Sequence, residues 1–268
     1  MWDVGSPEHL TAHVQRPGLL EALFWPAPRA EGDALGGLLV FVHGGGHWTG
    51  NRLQGLGCYL EAAHRLGWSV ASIEYRLTRH GWNGTDLLAD VHLAVLALSG
   101  QARQLRFKRG RVVLVGASAG AHLALLAAYT LPRGHVAAVA AMYPATDLER
   151  SRRSPVRRGS WDEAMWAATL CPKSGDSYFS RDSCRGLSPL SHVGNHTPPT
   201  LLLHGTADEY YPSAHSEALA DALAAARVPH MLLLLPLLPH ALDFGANSAA
   251  AQLWHHALDH LLLTVGSS

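Results

Sequence analysis

Three residue types that together can activate an alcohol stand in this chain in the order Ser118, Asp208, His240, each just beyond an apolar run, at 112–115, 200–203 and 231–235 respectively. A serine hydroxyl is a poor nucleophile at neutral pH. It needs an imidazole within hydrogen-bond reach to take its proton, and a carboxylate to fix that imidazole's tautomer and steady the imidazolium. Ser118 is the centre of Gly116-Ala117-Ser118-Ala119-Gly120, between a buried-strand pattern and a helix start of small residues. Glycine on either side removes Cβ atoms that a sharp strand-to-helix turn would drive into backbone. The helix N-terminus behind the serine favours developing negative charge. The plain alternative is a tight turn without chemistry.

A fourth segment complements these three. His43-Gly44-Gly45-Gly46 directly follows the apolar run at 38–42. Without side chains, the N–H groups of Gly45 and Gly46 are free to turn inward, where with the N–H of Ala119 they form a cradle for a tetrahedral oxyanion. His43, at a strand end, is expected to hold this loop through its ring, and His204 to be structural. Asp243 is the rival to Asp208 as the acid, and Asp208 is favoured because its loop follows the penultimate strand. Asp90 and Asp147 are expected to satisfy backbone groups and arginines. His256 and His260 stand four apart on one helix, a metal-ligand spacing, but without a cysteine or carboxylate trio nearby they describe a solvated face. No metal or other cofactor is expected.

The elements that must position these loops follow from apolar patterning. Strands are expected at 19–25, 38–42, 68–75, 112–115, 136–143, 200–203 and 231–235. Helices are expected at 53–66, 86–99, 119–130 and 213–227, with a last helix from an Asn247 cap to about 263. Strands apolar on both faces and alternating with helices predict an α/β fold, a mostly parallel sheet with helices on both sides. In such a sheet functional groups collect beyond the carboxyl ends of the strands, where all four loops fall. Residues 1–18 are expected to be a polar lead. From 149 to 196 the alternation breaks into a basic run (Arg150, Arg152, Arg153, Arg157, Arg158), then Trp161, Trp166 and Tyr178, with one short helix near 161–170. This is an insertion over the carboxyl edge or, equally, a solvated loop with some aromatic packing.

Taken together, these motifs resemble the α/β-hydrolase superfamily and, within it, the hormone-sensitive-lipase-like carboxylesterases. The HGGG loop is at 43–46, the Tyr75-Arg76-Leu77 segment follows the next strand, and G-x-S-A-G is at 116–120. The similarity spans about 20 to 263, leaving out most of 149–196. The segment from Ser118 to Ala124 is also similar to kynurenine formamidases and prenylcysteine methylesterases. The resemblance implies an α/β-hydrolase fold in one domain over 1–268 with a cap insertion at about 149–196. It also implies a Ser118, His240, Asp208 triad and an oxyanion hole of Gly45, Gly46 and Ala119. There are departures: His47 and then Trp48 stand where an aromatic residue usually follows the glycines, Ala117 precedes Ser118, Ala121 and His122 follow Gly120, and an N-terminal lid segment is largely absent. Candidates for lining the substrate pocket are His47, Trp48, Trp161 and Trp166.

Composition bounds the reading. With 48% of 268 residues hydrophobic and 16% charged, the chain can bury one large core. Lys plus Arg number 21 and Asp plus Glu 21, so there is no general attraction to nucleic acid or an acidic membrane, and a small neutral partner is expected. Cys58, Cys171 and Cys184 lack metal-ligand spacing, and their odd number favours free thiols in a reducing compartment over a disulfide framework; Cys171 and Cys184 could meet inside the one excursion, but nothing in the sequence requires it. The first residues lack the pattern of a signal peptide, and the apolar run at 231–238 is too short to span a bilayer and is interrupted by Pro236. A cytoplasmic protein without stable membrane insertion is expected; the oligomeric state is not legible. The expected function is hydrolysis of carboxylic esters with short acyl groups. Little lid implies a shallow pocket, and each further buried methylene contributes only about 0.8 kcal/mol. Arylformamide hydrolysis and non-catalytic binding of a small ligand are the alternatives.

Overall fold

The branched apolar runs form strands because their side chains pack well on both faces of a pleated surface. The computed structural model describes residues 8–12, 20–28, 36–54, 57–155, 157–158, 161–171, 181–241 and 248–267. In chain order its first half contains β1 (Glu8–Ala12), β2 (Leu20–Trp25), β3 (Leu38–Val42), α1 (Gly57–Arg65), β4 (Ser69–Ile73), α2 (Gly84–Gly100), β5 (Val112–Ala117) and α3 (Ala119–Thr130). There follow β6 (Ala138–Met142), α4 (Leu148–Ser151), β7 (Arg157–Arg158), β8 (Trp161–Asp162), α5 (Glu163–Leu170), α6 (Arg181–Gly186), β9 (Thr200–Gly205), α7 (Ala214–Ala225), β10 (His230–Leu235) and α8 (Ala249–Ser267).

One eight-stranded sheet runs in the order β1-β2-β4-β3-β5-β6-β9-β10. From β4 to β10 the neighbours are parallel, while β1 and β2 run antiparallel at one edge. Alternation along β3 divides the core in two. Leu38, Val40 and Val42 pack with α2, α3 and α7, whereas Leu39 and Phe41 face α1 and α8. Every residue of α3 from Ala119 to Tyr129 is buried, as expected of a helix apolar all round. The Asn83 side chain accepts from Thr85 N and Asp86 N, and the Asp86 carboxylate accepts from Asn83 N, a reciprocal cap that starts α2.

Several expectations need correction. Residues 8–12, read as part of a polar lead with no strand assigned, form an edge strand because β2 offers them a partner. α1 begins at Gly57 rather than 53, since residues 52–54 form a turn and Leu53 is exposed. α8 continues past 263 to Ser267; its anticipated cap Asn247 lies outside the described residues. His256 and His260 are exposed on α8. Among its described residues the excursion between β6 and β9 holds more than a single helix, with three α-helices, a 3-10 turn at Pro189–His192 and a two-stranded ribbon.

Cys171 and Cys184 are not free thiols. They form a disulfide across 13 residues of sequence, with Cα atoms 5.0 Å apart, joining the end of α5 to α6. Closing a loop of that size by removing unfolded-chain freedom is worth roughly 3 kcal/mol. Counting cysteines says nothing of which two the fold brings together; the Cys58 side chain lies outside the described residues. Among the described residues no helix is long and apolar enough to cross a membrane.

Candidate active site

The turn after β5 holds Ser118 at φ 55° and ψ −120°, a conformation non-glycine residues rarely adopt. The flanking glycines permit it. A Cβ on Gly116 would lie 2.4 Å from Gly120 O, and one on Gly120 would lie 2.0 Å from Val42 O. α3 therefore packs backbone to backbone against the end of β3, and Ser118 is pushed out at the carboxyl edge. Ser118 N donates to Met142 O at 2.9 Å, which ties the turn to β6. The N–H of Ala119, in the first turn of α3, has no partner within the helix.

His240, in the loop after β10, meets this serine: its Nε2 is 2.9 Å from Ser118 Oγ. Its Nδ1–H donates to Asp208 Oδ2 at 2.7 Å, which leaves Nε2 to accept from the hydroxyl. Asp208 follows β9, and its side chain is fully buried. Oδ1 accepts from Tyr210 N at 2.8 Å and Tyr211 N at 2.9 Å. Oδ2 also faces Nε2 of the buried His204 at 3.2 Å. Burial alone would raise this carboxyl, but hydrogen bonds from His204 and His240, the His240 charge and the Tyr211 N–H hold it well below the usual carboxylate range. His204 is itself fixed, with Nδ1 2.8 Å from Ser216 Oγ and Nε2–H donating to Tyr211 O at 3.0 Å. The rings of Tyr143, Tyr210 and Tyr211 surround His240 at centroid distances of 4.5, 5.1 and 5.6 Å.

The 43–46 loop passes beside the serine, since a Cβ on Gly44 would lie 3.6 Å from Ser118 Cβ. His43 holds the loop as anticipated. Its Nδ1 faces Gly44 O at 2.8 Å and its Nε2 faces Glu74 Oε1 at 3.2 Å, while its ring stacks on Tyr75 at 4.2 Å. Tyr75 Oη–H donates to His43 O at 2.8 Å, and Arg76 binds Asp90 through Nε at 2.7 Å and Nη2 at 2.8 Å. The Tyr75-Arg76-Leu77 segment thus fastens the loop to β4 and to α2. Asp147 caps α4 by accepting from Glu149 N at 3.0 Å and Arg150 N at 3.1 Å.

Of the pocket candidates, His47 and Trp166 meet each other, with Trp166 Nε1 3.2 Å from His47 Nδ1. Trp48 is 58% exposed, whereas His47 is fully buried and Trp166 nearly so. Trp161 is in β8, opposite Arg158, and its side chain lies outside the described residues. Asp243 does too, whereas Asp208 is the acid in contact with His240. Sequence reasoning missed the tyrosines around His240 and the second histidine on Asp208. His204 and Asp208 are four residues apart, but they span a strand end and a turn, where that spacing does not by itself announce a contact.

Fold and loop arrangement define an α/β-hydrolase. The chain belongs to the BD-FAE family, whose model matches residues 27–223. It is similar to esterase LipC of Mycobacterium tuberculosis, 29% identical over 220 residues covering 77% of this chain and 53% of that protein. It is also similar to esterase LipQ of the same organism, 30% identical over 261 residues covering 91% and 56%. The chain thus spans about half the length of these relatives. Among solved structures, Thermogutta terrifontis esterase 2 phosphonylated by sarin superposes with a TM-score of 0.83 at 22% identity, covering 98% of this chain and 96% of that one. The same esterase has also been solved with propionate and with butyrate bound.

Proposed function

We propose that this protein is a serine hydrolase that cleaves carboxylic esters with short acyl groups. The observation that carries the reading is the continuous chain from Ser118 Oγ through His240 to Asp208, at 2.9 and 2.7 Å, starting from a strained turn. In this reading Ser118 Oγ attacks the acyl carbonyl while His240 Nε2 takes its proton. The same proton passes to the departing alcohol oxygen as the ester C–O bond breaks, leaving an acyl-serine. Water, deprotonated by His240, then releases the acid and restores the serine. Asp208 keeps the imidazole in the Nδ1–H tautomer throughout. The N–H groups of Gly45, Gly46 and Ala119 stabilise the oxyanion, a role in which one donor typically contributes about 10²- to 10³-fold in rate.

The esterase names of the mycobacterial relatives support the ester class. Propionate and butyrate in the structural neighbour support a short acyl group, as does the crowding of tyrosine rings around His240. The 149–196 excursion serves as a small cap on a single domain. The test is hydrolysis of p-nitrophenyl acetate together with labelling by a fluorophosphonate, which reacts only with an activated nucleophile. Ser118→Ala should fold, lose labelling and lose several orders of magnitude of turnover. Labelling that persisted in this variant would remove Ser118 from the role.

A further inference from the structure

Beyond the triad, the most organised polar feature is buried and links the excursion to the glycine loop. Trp166, on α5, places Nε1 3.2 Å from His47 Nδ1 and 3.2 Å from Gly46 O. His47 Nε2 is 3.1 Å from His122 Nδ1, and His122 Nε2 is 2.8 Å from Leu187 O. Both ends fix the direction of this chain. An indole N–H only donates and a carbonyl oxygen only accepts. His122 must therefore carry its proton on Nε2 and accept on Nδ1, so His47 donates from Nε2 and accepts the indole N–H on Nδ1. Two neutral imidazoles satisfy every position. A second proton on His122 would sit on Nδ1 and face the His47 N–H, and one on His47 Nδ1 would face the indole N–H, although backbone hydrogen bonds to Ala119 and Gly46 favour a charged His47. Burial, first of all, and the neighbouring histidines keep both rings neutral: His122 is lowered to about 4 and His47 well below its ordinary range.

The circuit begins and ends in the excursion. Trp166 is on α5 and Leu187 follows α6, and the Cys171–Cys184 disulfide joins these two helices. Between its ends the circuit touches the two elements that supply the oxyanion donors. His122 is four residues beyond Ser118 on α3, and His47 follows Gly46. The loop's carbonyls are held in succession: Gly44 O by His43, Gly45 O by Trp48 N at 3.1 Å and Thr49 N at 3.0 Å, and His47 O by Thr78 N at 2.8 Å. Trp166 holds Gly46 O. In a trans peptide the N–H points opposite the preceding carbonyl, so His43 on Gly44 O and the Trp48 and Thr49 N–H groups on Gly45 O orient the N–H groups of Gly45 and Gly46, while Trp166 on Gly46 O anchors the next peptide, in which that segment ends.

We infer that His47 and His122 are positioning residues, through which the excursion locks the Gly44–Gly46 backbone in the geometry that binds the oxyanion. The inference rests on the serine-hydrolase reading and extends it. The excursion then acts on the transition state as well as on substrate entry. Loosening the circuit should lower kcat with little change in KM, because an oxyanion donor acts most strongly where charge develops.

The experiment compares Trp166→Phe, which removes the indole N–H and keeps a ring, with His122→Leu and His122→Gln. The glutamine amide can both accept from His47 and donate to Leu187 O. On p-nitrophenyl acetate, Trp166→Phe and His122→Leu should lose about 10- to 100-fold in kcat, with KM within about threefold, and His122→Gln should recover to within about threefold of wild type. Nitrogen-15 spectra of the wild type should show both rings as neutral Nε2–H tautomers from pH 8 to pH 5. Wild-type kcat in folded Trp166→Phe and His122→Leu, alongside an inactive Ser118→Ala, would overturn the positioning role alone. So would a glutamine variant as impaired as the leucine, or an Nδ1–H tautomer at either ring. A wild type that neither turns over nor takes the phosphonate would instead overturn the Ser118 reading, and the positioning role with it.

Discussion

At the scale of single residues, Asp208 is the most constrained group of the site, because two imidazoles and two backbone N–H groups converge on one buried carboxylate. Replacing it with asparagine keeps the volume but lets an amide N–H face His240 Nδ1, which favours the wrong tautomer. Asp208→Asn should therefore lower kcat by about 10⁴-fold, while Asp243→Asn should stay close to wild type; measuring both on one ester ranks the two acids, and the reverse order would move the role to Asp243. Ser118, Asp208 and His240 were legible because each follows a recognisable apolar strand at the edge where such groups gather. The contact between His47 and His122 was not legible. The two residues are 75 apart in sequence, and nothing local in either segment refers to the other. His47 was instead a candidate for lining the pocket, because it takes the place directly after the glycines where the resembled family usually has an aromatic residue.

At the scale of elements, strands apolar on both faces announced themselves, and α3 was legible to the residue because Ser118 and the small residues after it leave only one place for the helix to begin. β1 was not, since an edge strand of mixed composition is defined by its neighbour. The excursion was only partly legible, because its short helices depend on which two cysteines pair and on packing against elements outside the excursion. One consequence for α3 concerns pH. His122 is buried in it with a pKa of about 4 against an ordinary 6.5, chiefly through burial, with the His215 charge adding to the lowering and the Leu187 carbonyl opposing it. A folded pKa below the unfolded one means that the unfolded chain binds more protons in between. This stabilisation is complete above pH 6.5 and is lost as pH falls toward 4, by on the order of 3 kcal/mol for this group. The melting temperature should fall over that window in the wild type and fall less steeply in His122→Gln. Equal slopes would mean that His122 takes up its proton without cost.

At the scale of the whole molecule, the sheet delivers four loops to one edge, where three tyrosine rings pack around His240; on the proposed reading they limit the room for an acyl chain. Activity on p-nitrophenyl esters should peak between acetate and butyrate and decline toward palmitate. A maximum at long chains would refute the crowding argument, and N-formylkynurenine outrunning every ester would move the substrate to formamides. The opposite flank of the sheet has its own consequence. β10 is its last strand, with Met231 and Leu234 turned partly to solvent, the kind of border along which a foreign segment can continue the ladder. Here the border is short. Pro236 has no N–H to offer, and the N–H of Leu237 is already engaged by Thr206 Oγ1 at 2.9 Å. A segment aligning along this flank would find the ladder open over 230–235 and closed at Pro236, so any such pairing is confined to those six residues.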